Sequence, residues 1–354
     1  MAAILGLGTT HYPGLWMNDE DMSLILKRTL NGKRLDPRLK DSSIWPDAMR
    51  QEWSDDDGTA AAGRHRVRCL AALHEQRRLL DEFQPDFVVM FGDDQYENFT
   101  EDIVPPFCVY LADEMYSRPY DVPETSTFPH INYWGEPRDA VFRHAGHPEG
   151  GRYLLNRLNQ AGMALPYAYR LRYPRGLPHA FINTLLYLDA ERRGFDHPVL
   201  PFHVNCYGGD LIRMHGGLMP PSETSAEPDP SSPGPRQCFQ LGRAVGAALR
   251  DSPWRVALVA SSSWSHAFLT PRHGWLYPDH DSDRALLEQL QRGDFRHWHE
   301  LTTTQLEAAG QHALLNWIVL AGAMTELGQR PRIIDYIETY VFNANRCFAA
   351  FDPA

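Results

Sequence analysis

Four short segments gather ionisable side chains at places where a fold can hold them still. The first is Thr10-His11-Tyr12-Pro13-Gly14, which follows an apolar run at residues 4–7. A histidine just past a buried strand rides on rigid backbone, as a metal ligand requires, although a lone histidine there is more often structural. The second is Phe91-Gly92-Asp93-Asp94-Gln95-Tyr96-Glu97. Its carboxylates suit a hard divalent ion or a polar substrate, and equally the capping of a following helix. The third is a serine run, Ser261 to Ser263, leading through Trp264 and Ser265 to His266. Serine beside histidine suggests a hydrolase, but the chain has no G-x-S-x-G elbow, so His266 is better suited to general acid–base work. The fourth, residues 310–324, is apolar nearly all round and reads as a buried helix. His179, in Gly-Leu-Pro-His-Ala-Phe, reads equally as catalytic or as core, whereas His203 favours the core. Tyr12, Trp16 and Trp264 beside His11 and His266 suggest an aromatic ligand, with plain core packing as the alternative.

The elements that must position these groups alternate along the chain. Residues 4–7 form a short strand. Residues 60–83 carry a helical pattern, with Val67, Leu70, Leu73 and Leu80 as its apolar face. The continuous apolar run at 87–91 is a strand closed by Gly92, and Asp93-Asp94-Gln95 then stands at its carboxyl end, the edge where open α/β sheets bind ligands. A helix at 151–162, an apolar segment at 180–189, and strands at 197–205 and 256–260 follow. Helices are expected at 283–291 and 303–327, and the tail has an apolar stretch at 333–341. The segment 220–236 is Pro/Ser-rich and acidic, and is expected to be an exposed loop inserted in a single large domain spanning 1–354. Continuous strands between amphipathic helices imply an α/β fold, a sheet covered on both faces.

Taken in order, the strand-T-H-x-P segment, the F-x-D-D-x-x-x-x-F segment, the Ser265-His266 turn and the W-I-x-x-x-G-A helix beginning at Trp317 resemble the class III extradiol ring-cleavage dioxygenases. The likeness is to the catalytic subunits of the protocatechuate 4,5-dioxygenase and gallate dioxygenase type, and it is spread from His11 to Met324. It implies a three-layer α/β/α sandwich with a mixed central sheet. It also implies Fe(II) held by two histidines and a glutamate, with positions left open for a catecholate and O2. By that resemblance His11 is the first metal histidine and His266 the acid–base histidine. The second metal histidine falls at Gln95, with Asp94 as its neighbour, and the glutamate falls at Ala313. Alanine offers no lone pair, and glutamine only a neutral amide oxygen. Three readings stay open. Asp93, Asp94, Glu97 or His312 takes over ligation; the pocket persists without metal; or Ala313 is an engineered replacement of a glutamate. The expected site therefore comprises His266 and His179 as catalytic groups, Tyr12, Asp93 and Trp264 at the substrate, and His11, Asp94 and Gln95 at the metal.

Composition bounds the rest. The chain has 354 residues, 43% hydrophobic and 22% charged, ordinary for a folded soluble protein. A net charge of −11 argues against nucleic acid as a partner. No apolar stretch reaches membrane-span length, and the apolar start lacks the marks of a signal peptide, so a cytoplasmic protein is expected. Five scattered cysteines without a C-x-x-C are expected as reduced thiols. The leading expectation is an iron-dependent dioxygenase opening a small catechol-like aromatic with O2. A metal-independent hydrolase, lyase or isomerase using His266 comes second, and a non-catalytic subunit third. Self-association through the apolar tail at 336–342, with or without a second subunit, is also expected.

Overall fold

The computed structural model describes residues 2–122, 132–218 and 227–353. Its strands, in chain order, are β1 (Ile4–Thr9), β2 (Phe87–Gly92), β3 (Phe107–Tyr110), β4 (Glu114–Ser117), β5 (Phe142–Ala145), β6 (Tyr167–Ala168), β7 (Val199–Val204), β8 (Val256–Ser261), β9 (Pro331–Ile337) and β10 (Arg346–Phe351). Its α-helices are α1 (Leu24–Asn31), α2 (Asp47–Trp53), α3 (Thr59–Phe83), α4 (Pro148–Gln160), α5 (His179–Leu188), α6 (Leu211–Met214), α7 (Pro235–Arg250), α8 (His280–Arg292), α9 (Thr303–Ala308) and α10 (Leu314–Glu326).

Eight strands make one mixed sheet in the order β6-β3-β7-β2-β8-β1-β10-β9, and β4 pairs with β5 apart from it. The inner strands β7, β2, β8 and β1 run parallel, so their carboxyl ends share one edge. Both faces of that sheet are covered, and the strands are accordingly apolar without alternation to polar residues. Phe87, Val89 and Phe91 of β2 enter a core with α4, α7 and α10. Val88 and Met90, pointing the other way, enter a second core with α1, α3 and α5. This is the expected three-layer sandwich built around one mixed sheet.

α10 lies against the sheet at very short range. A Cβ added at Gly8 in β1 would stand 2.4 Å from the Trp317 ring, so only glycine lets α10 seat there. The Trp317 indole N–H donates to the Thr9 carbonyl at 3.3 Å. On the opposite face, α3 buries Ala62, Arg66, Cys69, Leu73, Gln76, Leu80 and Phe83. Val67, expected on the buried face, is 69% exposed. The true stripe was disguised because two of its members are polar, and both donate to backbone carbonyls. Arg66 donates to the Leu15 carbonyl at 2.8 Å and Gln76 to the Gly8 carbonyl at 2.7 Å. Arg66 thereby fixes the loop that follows His11.

Three further expectations are corrected. The single helix at 303–327 is two, because the chain breaks between α9 and α10, where Gly310 takes φ +70°. In the segment 220–236, residues 220–226 lie outside the described residues. The remainder is exposed only in part: Ser232 and Pro233 are buried, the Ser232 hydroxyl accepts from the Gly208 N–H at 2.8 Å, and α7 begins at Pro235. In the tail, Ile337, Val341 and Phe342 are fully buried in the chain's own core, so 336–342 is not a free apolar face for self-association. Among the described residues, no helix is long and apolar enough to cross a membrane. All five cysteines are buried and unpaired.

Candidate metal centre

His11, Asp93 and His179 come together at the shared carboxyl edge of the parallel strands. His11 stands two residues past β1 and Asp93 directly past β2, the strands on either side of β8, and His179 opens α5. One ligand atom from each of the three lies within 4.8 Å of the others. The His11 and His179 rings meet edge to face, with centroids 5.0 Å apart.

Each ring is held from behind. Ser261, the last residue of β8, gives its hydroxyl proton to the Ala180 carbonyl at 3.0 Å. Its oxygen is then left to accept from His11 Nδ1–H at 2.8 Å, which places the free lone pair on His11 Nε2. The His11 carbonyl accepts from Asn183 at 3.0 Å, fixing the backbone as well. His179 Nδ1–H donates to Glu97 at 2.8 Å, and the other Glu97 oxygen accepts the His179 backbone N–H at 2.9 Å. Such support fixes ring tautomer and direction for a metal ligand.

The two Nε2 atoms converge on the Asp93 carboxylate. His11 Nε2 lies 3.9 Å from Asp93 Oδ1, and His179 Nε2 lies 3.9 Å from Asp93 Oδ2. These distances are too long for hydrogen bonds. They fit ligands of one first-row ion, which at about 2.1 Å from the metal lie about 3–4 Å apart. Asn316 in the first turn of α10 donates to Asp93 Oδ1 at 3.0 Å, and also to the Ser261 carbonyl at 3.0 Å. Asp93 Oδ2 is buried and has no hydrogen-bond partner. Two imidazole nitrogens around a carboxylate with one unpartnered oxygen form a group that could hold a cation, and two histidines with one carboxylate suit non-haem Fe(II).

The electrostatics agree. Burial pushes the Asp93 carboxyl up to about 6, with His179 opposing the rise. Burial, with His179 and His266 nearby, holds the His11 ring well below the usual histidine range. His179 is driven the other way. Despite burial, the Glu97 carboxylate and then Asp93 raise it to about 9. Two carboxylates thus hold a positive charge at this spot, and a divalent cation supplies the same compensation.

His266 follows β8 and lies close enough for its charge to act on both His11 and His179. Its backbone N–H and its ring Nδ1 both contact the Gly310 carbonyl, at 2.9 Å and 3.2 Å. Nδ1 therefore carries the proton and Nε2 the lone pair. Burial lowers its pKa to about 4, so the ring is neutral near pH 7.

The other expected site residues go elsewhere. Asp94 is not placed as a ligand: its two oxygens accept the backbone N–H groups of Glu97, Asn98 and Phe99 and shape the turn after β2. Gln95 does not join His11 either; its amide donates to the Gly216 carbonyl at 2.6 Å. The Tyr12 hydroxyl donates to the Met22 carbonyl, and its ring lies under the Arg346 guanidinium at 3.7 Å. Trp264 is wholly buried between Trp298 and Trp317. Trp16 packs on Tyr120, Trp134 and Tyr187. Ala313 caps α10 with no ligating atom, and His312 is stacked on Tyr207 rather than turned to the His11 group. His203 is a core residue, as expected. Asn316 and Ser261 were not anticipated. Ser261 begins the serine run noted in the sequence but was given no role there, and the signal for Asn316 was weak, since it is an ordinary polar residue in an apolar helix.

Residues 230–342 match the family described as the catalytic LigB subunit of aromatic ring-opening dioxygenase. That stretch holds His266, Ala313 and Asn316 but not His11, Asp93 or His179. Curated relatives named as 2,3-dihydroxyphenylpropionate/2,3-dihydroxicinnamic acid 1,2-dioxygenase occur in Photorhabdus laumondii and Paraburkholderia phymatum. The first is 23% identical over 225 residues, covering 62% of this chain and 54% of that protein. The second is 23% identical over 309 residues, covering 73% and 82%. A third, from Klebsiella pneumoniae, is 26% identical over 199 residues, covering 55% and 48%. Against most of these relatives, then, the chain matches about half of their length. Among solved structures, an uncharacterized Escherichia coli K12 protein aligns with 15% identity and a TM-score of 0.49, over 80% of this chain and 92% of that one.

Proposed function

We propose that this chain, which resembles the class III extradiol dioxygenases and matches their LigB subunit over residues 230–342, is itself a ring-opening dioxygenase for an aromatic with adjacent hydroxyls. His11, Asp93 and His179 would hold its metal. The observation that carries the reading is the unpartnered Asp93 Oδ2, 3.9 Å from one of two imidazole nitrogens whose far sides are already anchored. An Fe(II) ion bound there would supply open positions for the diol and for O2.

The chain's own groups do the remaining work. His266, neutral and with Nδ1–H committed to Gly310, takes a proton from a substrate hydroxyl at Nε2 and can return it later in the reaction. Glu97 orients His179 and compensates charge. His11, Asp93 and His266 are nearly inaccessible to solvent, which keeps bulk water from the reacting ring. The aromatic substrate class also rests on the relatives' printed names, and 2,3-dihydroxyphenylpropionate is the first compound to try.

The test is anaerobic loading of the full chain with Fe(II), then oxygen-electrode and absorbance measurements against a panel of catechols that includes 2,3-dihydroxyphenylpropionate. The expected result is one O2 consumed per ring opened, with both oxygen atoms in a yellow product and activity lost to a chelator. No oxygen uptake with any catechol, or turnover that survives strong chelation, overturns the reading.

A further inference from the structure

Outside the metal group, one buried acid ties distant segments of the chain together: Asp283, in the first turn of α8. It is wholly inaccessible to solvent. It accepts from the Ser265 backbone N–H at 3.2 Å and 3.1 Å, from Gln311 Nε2 at 2.6 Å and from Asn345 Nδ2 at 2.8 Å. These partners come from three separate parts of the chain: the turn after β8, the loop before α10 and the residue before β10. Each of these three partners is a donor, while Asp279 stands near enough to act on the carboxylate as a like charge. Removing a carboxylate from water costs several kcal/mol unless it is fully paired, so a chain keeps one there only with all its acceptor positions used.

The identity of two partners gives the acid its meaning. Ser265 immediately precedes His266, and Gln311 immediately follows Gly310. Gly310 is the residue whose carbonyl receives both the backbone N–H and the Nδ1–H of His266. One carboxylate thus grips the chain next to the imidazole and next to the acceptor that sets its tautomer. The serine hydroxyl ties the same turn down a second time, accepting from the Asp279 N–H at 2.8 Å and donating to the Ala309 carbonyl at 2.6 Å. Gly310 has no spare room. With φ +70°, a Cβ there would stand 2.5 Å from the His266 carbonyl oxygen.

The geometry points to Asp283 as a positioning residue for the reaction proposed above, clamping the Ser265 and Gln311 segments together so that His266 presents Nε2, and not Nδ1, to a substrate proton. This inference rests on the role given to His266. Asp283 reaches none of the metal-holding residues, so its action is separable from metal binding.

Asp283→Asn sets an amide NH2 against a ring of donors and should unlock the clamp. In the iron-loaded full chain it should lower kcat at least tenfold, with iron content and KM for the catechol within about threefold of wild type. Because the effect runs through His266, Asp283→Asn combined with His266→Ala should be no slower than His266→Ala alone, within twofold. Gln311→Ala, which removes one clamp partner and keeps the acid, should give the same kcat-only loss to a lesser degree and serves if Asp283→Asn does not fold. A variant with wild-type kcat, or effects that multiply with His266→Ala, overturns the inference. A second readout needs no turnover. In 15N-histidine spectra, His266 should show a protonated Nδ1 in wild type and lose that single tautomer in Asp283→Asn. An unchanged His266 spectrum sinks the clamp, whereas an inactive wild type with the expected spectral change sinks only the dioxygenase reading.

Discussion

At the end of β2, one oxygen of Asp93 has a donor in Asn316 and the other has none. That asymmetry makes the centre testable one side chain at a time. Glu97 touches no metal position but fixes His179, so Glu97→Gln should weaken Fe(II) binding about 10–100-fold, the usual effect of losing an outer partner of a ligand. Metal titration of the apoprotein by calorimetry reads this directly. His266→Ala should behave in the opposite way. Iron content should stay at the wild-type level while kcat falls about 10²–10⁴-fold, as expected for removal of a general acid–base group. Equal losses of iron and rate in both variants would contradict the division of labour. At this scale the sequence was half legible. His11, Asp93, His179 and His266 were all singled out, because each follows an apolar run or a proline that marks an element end. The resemblance put them in one site and left Asp93 open as a replacement ligand; what it did not give was His179 beside His11 and Asp93, because that depends on β8 lying between β1 and β2, which no local pattern encodes. Asp94 and Gln95 were expected at the metal because the resemblance puts its second histidine at Gln95, yet the Asx-type turn consumes one and Gly216 the other.

Elements place these residues through close contacts that tolerate little change. α10 brings Asn316 to Asp93 only because it can approach β1 over Gly8, with the Trp317 ring filling the space a side chain would occupy. Gly8→Ala should cost about 1–3 kcal/mol of stability, the range for overpacking a filled core, measured as a lower midpoint in urea. A wild-type midpoint would mean that α10 shifts freely. The long helix α3 was visible from its periodicity, and Leu73 and Leu80 are buried as expected, but Val67 is exposed, and Arg66 and Gln76 occupy buried positions that hydrophobicity alone assigns to apolar residues. The break between α9 and α10 was hidden for a related reason. Gly310 sits inside an apolar run whose composition says helix, while the conformation there is set by the packing of His266 against it.

Across the described residues, several buried histidines outside the metal group are held neutral. Burial lowers His144 to about 4, His203 to about 3 and His312 to about 4. A histidine with a depressed folded-state pKa contributes stability that is present above its ordinary value of about 6.5 and lost as pH falls towards the folded value, because the unfolded chain takes up the proton first. Asp283 acts in the opposite sense. Burial raises its carboxyl to about 7, so its contribution is present below about 4 and lost as pH rises through 7. The two trends offset in the intact protein, and a difference experiment separates them. On going from about pH 6.5 to 5.5, His144→Gln should gain about 1 kcal/mol relative to wild type, read from paired urea curves. A constant difference across that interval would show His144 free to protonate in place. The overall architecture was the most legible level of all. Continuous apolar strands must be covered on both faces, and helices of the observed length are the means.

His11 and Asp93 stand at the ends of neighbouring tracks in a stiff sheet, and His179 is pinned at the mouth of a helix, so the cradle's shape is built before any ion arrives. Stripping and reloading should therefore leave the scaffold unmoved. Manganese, cobalt or iron could be exchanged through one and the same cage, and any change in behaviour among them would report the ion rather than a refolded host.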